Sequence, residues 1–181
     1  LAYLQNNLLS LNPNAKINVN EWINEVGLPS DCPNIQSRNL RNVELAAKKV
    51  NETKSLKGFD TTGYTTHHWL HFFRNLDADS IEDIMVQMDT MYHLSMSKNS
   101  EIQCDWYLLC IENNYSKANP YIEKYLLSVG RRKFLKPLYE AFSKTSEGLI
   151  LGREIFKKAE SSYHAVSRNT VKEILQIESE E

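Results

Sequence analysis

Residues 64–119 read YTTHHWLHFFRNLDADSIEDIMVQMDTMYHLSMSKNSEIQCDWYLLCIENNYSKAN and contain neither glycine nor proline. Because these two residues interrupt helices most often, their absence predicts helices joined by short polar connections. Two segments here have the spacing of a helix-capping box, Asp79–Glu82 and Ser100–Gln103, and each is followed by apolar residues at helical intervals. No useful length alternates between apolar and polar residues as a strand would. The stretch therefore predicts an all-α fold.

Apolar residues recur at helical spacing on both sides of this stretch as well. We predict helices that begin near residues 38, 66, 80, 100, 116, 135, 147 and 167. From residue 66 onward the starts are spaced by roughly 12–20 residues, so helix pairs recur at the period of HEAT-like or TPR-like arrays. Because the TPR consensus W-x2-L-G-x2-Y is absent, we predict a right-handed α-solenoid of HEAT-like or armadillo-like helix pairs.

The composition restricts the classes of partner. The 181 residues carry 21 Lys and Arg against 23 Asp and Glu, which gives a net charge of -2. That balance excludes a generally basic nucleic-acid-binding or membrane-surface protein. The longest uncharged stretches, such as Thr61–Phe73, are shorter than the ~20 residues that span a bilayer. We therefore expect neither nucleic acid nor membrane as a partner.

The three cysteines Cys32, Cys104 and Cys110 are an odd number and form no CxxC motif. Neither a disulfide framework nor a zinc finger is supported by this pattern. Reduced thiols are typical of cytosolic proteins, so we predict a cytoplasmic location.

Histidines cluster in Thr66–His71, where His67 and His71 are four positions apart and could share one helical face. A hydrolytic HExxH motif needs glutamate next to the first histidine, and His68 occupies that position. No third ligand lies at a useful spacing, and no nucleophile motif or phosphate-binding glycine loop is present. We expect these histidines to be surface or interface residues, and an independent metalloenzyme is the disfavoured alternative.

The most concentrated chemical feature is Gly130–Pro137, GRRKFLKP, with four positive charges in six residues. Gly130 is placed to end the preceding helix in the left-handed conformation. Because proline is tolerated only in a first turn, we expect the next helix to begin near Leu135. The basic residues would then form a connector into a helix N-terminus, where backbone N–H groups also favour anions. The segment is either an anion site, with arginine suited to a carboxylate, or a basic loop that is solvated or paired with a neighbouring helix.

Three segments closely resemble the C-terminal helical domain of the leukotriene A-4 hydrolase/aminopeptidase zinc enzymes. They are Asn99–Ile102, Trp106–Ile111 and Gly130–Tyr139, of which the last, with its G-R-x-K-F-x-x-P-L pattern, is the most specific. Upstream, Glu21-Trp22-Ile23, Gly27-Leu28-Pro29 and Pro33-Asn34 resemble the entry to that domain, and downstream Ser162–Ser167 resembles its closing turn. Arg132 stands where relatives can have an apolar residue, and Ala165 stands where the family has proline.

The resemblance implies a substrate role for the basic segment. In this family the arginine and lysine of G-R-x-K hold the free carboxylate of a short peptide substrate. Carried over, Arg131 is the main carboxylate anchor and Lys133 is its helper. The zinc motif and the catalytic residues would lie in an upstream catalytic zinc domain, which becomes the partner of this chain. No catalytic residue, metal ligand or cofactor is assigned to the chain itself, which would be inactive alone.

The resemblance also implies a domain organisation. The chain begins Leu1-Ala2-Tyr3 without an initiator methionine or a leader sequence, so we expect a piece of a larger protein. We expect residues 1–11 to end the last helix of the preceding catalytic domain, and residues 12–36 to be a linker and entry segment. Residues 37–177 would form the solenoid and residues 178–181 a frayed acidic tail. A competing interpretation is an autonomous solenoid that binds protein partners through its concave face.

Overall fold

The computed structural model describes residues 1–34, 36–77 and 82–177, and these residues form helices and no strands. The prediction of an all-α fold is confirmed. The α-helices are Ala2–Leu4 (α1), Val19–Asn24 (α2), Arg38–Thr53 (α3), Thr66–Arg74 (α4), Glu82–Tyr92 (α5), Ser100–Glu112 (α6), Asn119–Ser128 (α7), Arg132–Phe142 (α8), Ser146–Ala159 (α9) and Ala165–Leu175 (α10). Shorter turns are the π-helical Gln5–Leu9 and the 3-10 turns Leu94–Met96, Ser116–Ala118 and Glu160–Ser162.

The chain separates into two units, residues 1–37 and residues 38–181. In the first unit, two carboxylates hold the segment around α2 together. Asp31 accepts hydrogen bonds from the Asn18 backbone N–H at 2.6 Å and from the Trp22 indole at 2.7 Å. Glu21 accepts from the Ser30 N–H at 2.6 Å, and this bond lowers the pKa of its carboxyl. None of the described residues in this unit is buried, so polar contacts rather than a core shape it.

The second unit is built from two layers of helices. In one layer α3, α4, α6, α8 and α10 pack side by side in chain order. In the other layer α7 packs against α9, which also contacts α8, and α5 is joined to the array through the 3-10 turn Leu94–Met96. From α4 to α10, consecutive helices alternate between the two layers, which is the arrangement of an α-solenoid.

A continuous apolar core fills the space between the layers. Its largest fully buried side chains are aromatic or long aliphatic ones, led by Trp106, Tyr107, Tyr139 and Phe72. The buried Ser95 satisfies the polar atoms of two of them, because its Oγ accepts from Trp106 Nε1 at 2.9 Å and its carbonyl accepts from the Tyr107 hydroxyl at 2.8 Å. The rings are therefore buried without an unpaired donor.

The start of α6 differs by one residue from the expected capping box. Asn99, not Ser100, is the N-cap, and its Oδ1 accepts from the N–H of Glu101 at 3.0 Å and of Ile102 at 3.4 Å. Asparagine is at least as good a cap as serine, and here it lies one position earlier. Residues 79–81 of the other expected box, and the tail 178–181, lie outside the described residues.

The start of α8 also corrects an expectation. The helix begins at Arg132 with Arg131 as its N-cap, three residues before Leu135, and it contains Pro137 in its second turn. Proline removes one backbone hydrogen bond there, the one that would reach the Lys133 carbonyl. Burial of the apolar side chains on this helix offsets that loss. Most of the basic residues therefore belong to the helix rather than to a connector.

The connection before α8 also differs from the one predicted. Gly130 does not adopt the left-handed conformation predicted for it. Instead α7 ends at Ser128, Val129 is extended, and the Gly130 carbonyl accepts a hydrogen bond from Ser167 Oγ at 3.1 Å. Ala165, which stands where the family has proline, is the first residue of α10, a position that alanine and proline both tolerate.

Candidate functional site

The two predicted anchor residues lie at the start of α8. Arg131 is the N-cap and Lys133 is the second residue of the helix, and both side chains are exposed. Both lie near the ring of Phe134, whose residue is 8% exposed. The Arg131 Cζ is 5.8 Å from the ring centroid and the Lys133 Nζ is 5.4 Å from it. Both cations therefore contact one aromatic ring, within the range of a cation–π interaction.

Lys133 is neutralised by a neighbouring helix. Its Nζ lies 2.6 Å from Oε1 and 2.7 Å from Oε2 of Glu101, in the first turn of α6. One of the two alternatives for this segment was that its basic residues pair with a neighbouring helix, and Lys133 does so. Lys136 forms a weaker pair within α8, 3.4 Å from Glu140.

Arg131 and Arg132 differ from Lys133 in this respect. No ion pair to either guanidinium occurs among the residues that the structure describes. Of the two arginines, Arg131 lies against Phe134 and occupies the helix N-cap. The N-terminus of a helix adds a partial positive charge and backbone N–H donors. Arg131 is therefore the cation of this segment that is best prepared to bind an anion.

A groove of about 900 Å³ runs between α4, α6 and α8, and Lys133, Phe134 and Glu101 line it. Another cavity, of about 440 Å³, lies between α3 and residues 55–64 and shares no lining residue with the groove. The anchor segment thus lies beside the larger of these two concave surfaces, which a ligand could enter.

A second ion pair lies in the same groove. Arg74 Nη2 is 2.8 Å from Oδ2 of Asp105, whose side chain is 19% exposed, without the alignment of a hydrogen bond. Burial raises the pKa of the Asp105 carboxyl above its ordinary value, more than the nearby Arg74 lowers it. The pair therefore links α4 and α6, but the ionised form of the Asp105 carboxyl is destabilised more by burial than it is stabilised by Arg74.

Two of the three clustered histidines serve the fold, and the third, His67, is exposed. His68 Nδ1 accepts from the Thr65 N–H at 3.0 Å and so completes a capping box at the start of α4, in the role usually taken by Glu or Gln. His71 Nε2 lies 2.9 Å from Glu44 Oε1 and links α4 to α3. The capping role of His68 was not predicted from the sequence, although its three-residue spacing from Thr65 is that of a capping box. The expectation of interface residues is confirmed for His71.

The described residues include no group of three His, Cys, Asp or Glu side chains that could hold a metal ion. No described residue is therefore assigned as a zinc ligand. The cysteines are free thiols, as predicted. No helix in the described part of the chain is long and apolar enough to cross a membrane.

Sequence comparison connects this architecture to known proteins. The family model "Leukotriene A4 hydrolase, C-terminal" matches residues 64–175, more than half of the chain. Leucine aminopeptidase 2 of Yarrowia lipolytica is 30% identical over 95 residues, which are 52% of this chain and 14% of that protein. Leucine aminopeptidase 2 of Neurospora crassa is 29% identical over 136 residues, covering 73% of this chain and 20% of the relative.

Structural comparison gives the same fold. Native yeast LTA4 hydrolase matches with a TM-score of 0.78 at 19% identity, covering 89% of this chain and 29% of that one. The yeast enzyme in complex with bestatin matches with a TM-score of 0.74 at 18% identity, covering 90% and 30%. The predicted solenoid fold is confirmed. The chain spans less than a third of the length of each of these proteins.

The matched range 64–175 contains all four residues of the candidate site, Arg131, Lys133, Phe134 and Glu101. It also contains the three helices that line the groove. The resemblance drawn from the sequence is therefore confirmed, and the chain belongs to the family of leukotriene A4 hydrolase C-terminal domains.

Proposed function

We propose that this chain is the C-terminal domain of a zinc-dependent aminopeptidase and forms one wall of its active-site cleft. The support is its family, together with relatives named leucine aminopeptidases that are several times longer. An upstream catalytic domain would hold the zinc, which supplies Lewis-acid chemistry in such enzymes. The chain is then inactive alone and acts by positioning the substrate.

Within that enzyme, Arg131 anchors the C-terminal carboxylate of short peptides. The observation that carries this assignment is a guanidinium held against Phe134 at the N-cap of α8, with no ion pair among the described residues. A guanidinium presents two parallel N–H donors to a carboxylate, and the helix N-terminus adds to the attraction. Holding the carboxylate at a fixed distance from the catalytic centre places the scissile bond and favours short peptides.

Lys133 is the helper in this site. Its ammonium can donate to the same carboxylate, but both oxygens of Glu101 already lie within hydrogen-bond distance of it. A ligand must share or displace that carboxylate, so Lys133 contributes less to binding than Arg131. This ranking follows from the contacts of the two cations and not only from their charge.

The test is kinetic and uses the complete enzyme that carries this domain. One charge-assisted hydrogen bond contributes about 1.5–3 kcal/mol, so Arg131→Ala should lower kcat/KM on a tripeptide roughly ten- to a hundredfold. Lys133→Ala should cost less. Arg132→Ala is the matched control for Arg131, and Lys144→Ala is the control for Lys133, because Lys144 also pairs with α6, 2.6 Å from Glu112.

Equal losses in the Arg131 and Lys133 variants, or negligible losses in both, would contradict the assignment. An autonomous protein-binding scaffold, the competing interpretation, predicts that no substitution here changes peptidase activity. We also propose a cytoplasmic location for the enzyme, which its three free thiols support.

A further inference from the structure

The contact between Glu101 and Lys133 determines the charge of the candidate site. Both carboxylate oxygens lie close to one ammonium, at 2.6 and 2.7 Å. An ammonium has three N–H donors, and the two oxygens of one carboxylate cannot occupy all of them. Lys133 therefore keeps a donor for a ligand while its charge is balanced by Glu101.

Arg131 is the remaining cation against the same ring. It lies 5.8 Å from the Phe134 centroid and forms no ion pair within the described residues, whereas Lys133 lies 5.4 Å from that centroid and is paired. The trio of Arg131, Lys133 and Glu101 thus carries one net positive charge at neutral pH. One positive charge complements a ligand with one carboxylate.

We propose that Glu101 is a specificity-determining residue of this site, which selects peptides with a single C-terminal negative charge over peptides whose last residue adds a second carboxylate. The proposal rests on the proposed function, because it needs the carboxylate of a peptide to bind at Arg131. Glu101 acts through Lys133 and by its own charge, without touching the scissile bond.

The selection follows from Coulomb's law at short range. The side-chain carboxylate of a C-terminal Glu or Asp lies only a few ångströms from the main-chain carboxylate, so it lies beside the Lys133–Glu101 ion pair when the main-chain carboxylate binds at Arg131. Beside this pair it is attracted by an ammonium whose charge is already balanced, and it is repelled by Glu101. At separations of about 4–6 Å such charge pairs change binding by severalfold even in a solvent-exposed setting.

The chain contains a matched control for the loss of such an ion pair. Glu112, eleven positions later on α6, pairs with Lys144 at the same 2.6 Å, and both glutamate side chains are 36% exposed. Eleven residues correspond to about 16 Å along a helix. Glu112→Gln therefore removes an ion pair of the same length, to the segment between α8 and α9, without changing the charge at Arg131.

The experiment uses the complete enzyme and two tripeptides that differ only in their last residue, alanine or glutamate. We expect Glu101→Gln to raise the ratio of kcat/KM for the glutamate peptide over the alanine peptide at least threefold, and more at low ionic strength. Glu101→Asp keeps the charge and should leave the ratio near the wild-type value. Glu112→Gln should leave it unchanged.

Two results would overturn the proposal: an unchanged ratio in Glu101→Gln, or an equal rise in Glu112→Gln. Arg131→Ala, assayed on the same peptides, separates this failure from that of the proposed function. If Arg131→Ala loses activity on the alanine peptide while Glu101→Gln leaves the ratio unchanged, only the role of Glu101 is wrong. If Arg131→Ala keeps full activity on both peptides, the anchor is wrong and the role of Glu101 fails with it.

Discussion

At the scale of single residues, neighbouring positions with the same charge have different environments. Arg131 and Lys133 are two positions apart and share the Phe134 ring, yet among the residues that the structure describes only Lys133 has a carboxylate partner. The pairing depends on where α6 places Glu101. It balances the charge of Lys133 and leaves Arg131 available for a ligand. Charge density alone does not distinguish the two.

A half-buried carboxylate in the groove, Asp105, gives a prediction about pH. Burial raises the folded-state pKa of Asp105, so ionising it costs folding free energy. The cost is complete above the raised folded-state pKa and vanishes as the pH falls below the ordinary value of 3.8. We expect Asp105→Asn to raise the midpoint of thermal unfolding by roughly 1–3 °C at pH 7.

The increase in melting temperature of Asp105→Asn should disappear in acid. It is measured by thermal melts of the purified chain and of the variant, in a series from pH 7 to the acid limit of folding. A variant that is less stable at pH 7 would show that the contact with Arg74 outweighs the cost of burial.

The sequence was sufficient to find the two candidate anchors but not their partner. Four basic residues within six positions stand out in a nearly neutral chain, and their pattern resembles a known family. Glu101 lies thirty-two residues before Lys133, and their contact depends on the register between α6 and α8. His68 was missed for a different reason, because histidine rarely takes the Glu or Gln position of a capping box.

At the scale of helices, α8 shows how packing overrides a local rule. Pro137 predicted a start near Leu135, but the helix begins at Arg132. Burial of its apolar face offsets the loss of one backbone hydrogen bond at the proline. The periodicity of apolar residues predicted the helices themselves, since it reports the buried face. Helix ends depend on individual caps such as Asn99 and were predicted less well.

The junction of α8 and α9 gives a prediction about a helical glycine. A Cβ on Gly148 would lie 2.5 Å from the backbone oxygen of Phe142, which cannot move away as a side chain would. We expect Gly148→Ala to lower the free energy of unfolding by about 1–3 kcal/mol, although alanine favours helices by about 1 kcal/mol. Urea unfolding of the purified chain measures this difference.

Gly130→Ala is the control for that experiment. Gly130 has no atom within 4 Å of an added Cβ and no left-handed φ, so its substitution should change the free energy of unfolding by less than about 0.5 kcal/mol. A Gly148→Ala variant that is as stable as the original chain would show that α9 can move away from α8 without cost.

At the scale of the whole molecule, the order of helices in the layers positions the site. Since α4, α6 and α8 are neighbours in one layer, a single groove brings together residues that are far apart in sequence. The helix period predicted a solenoid, but it could not predict which residues line a groove, because that depends on the angles between helices. The leucine aminopeptidases that match this chain are several times longer than it.

The central claim, that Arg131 recognises a peptide's C-terminal carboxylate, is tested most directly by removing that carboxylate from the substrate. The complete enzyme and its Arg131→Ala variant are assayed on one tripeptide as the free acid and as the C-terminal amide. We predict that kcat/KM falls roughly ten- to a hundredfold for the acid and hardly changes for the amide. An equal loss on both substrates, or no loss on either, would contradict the claim.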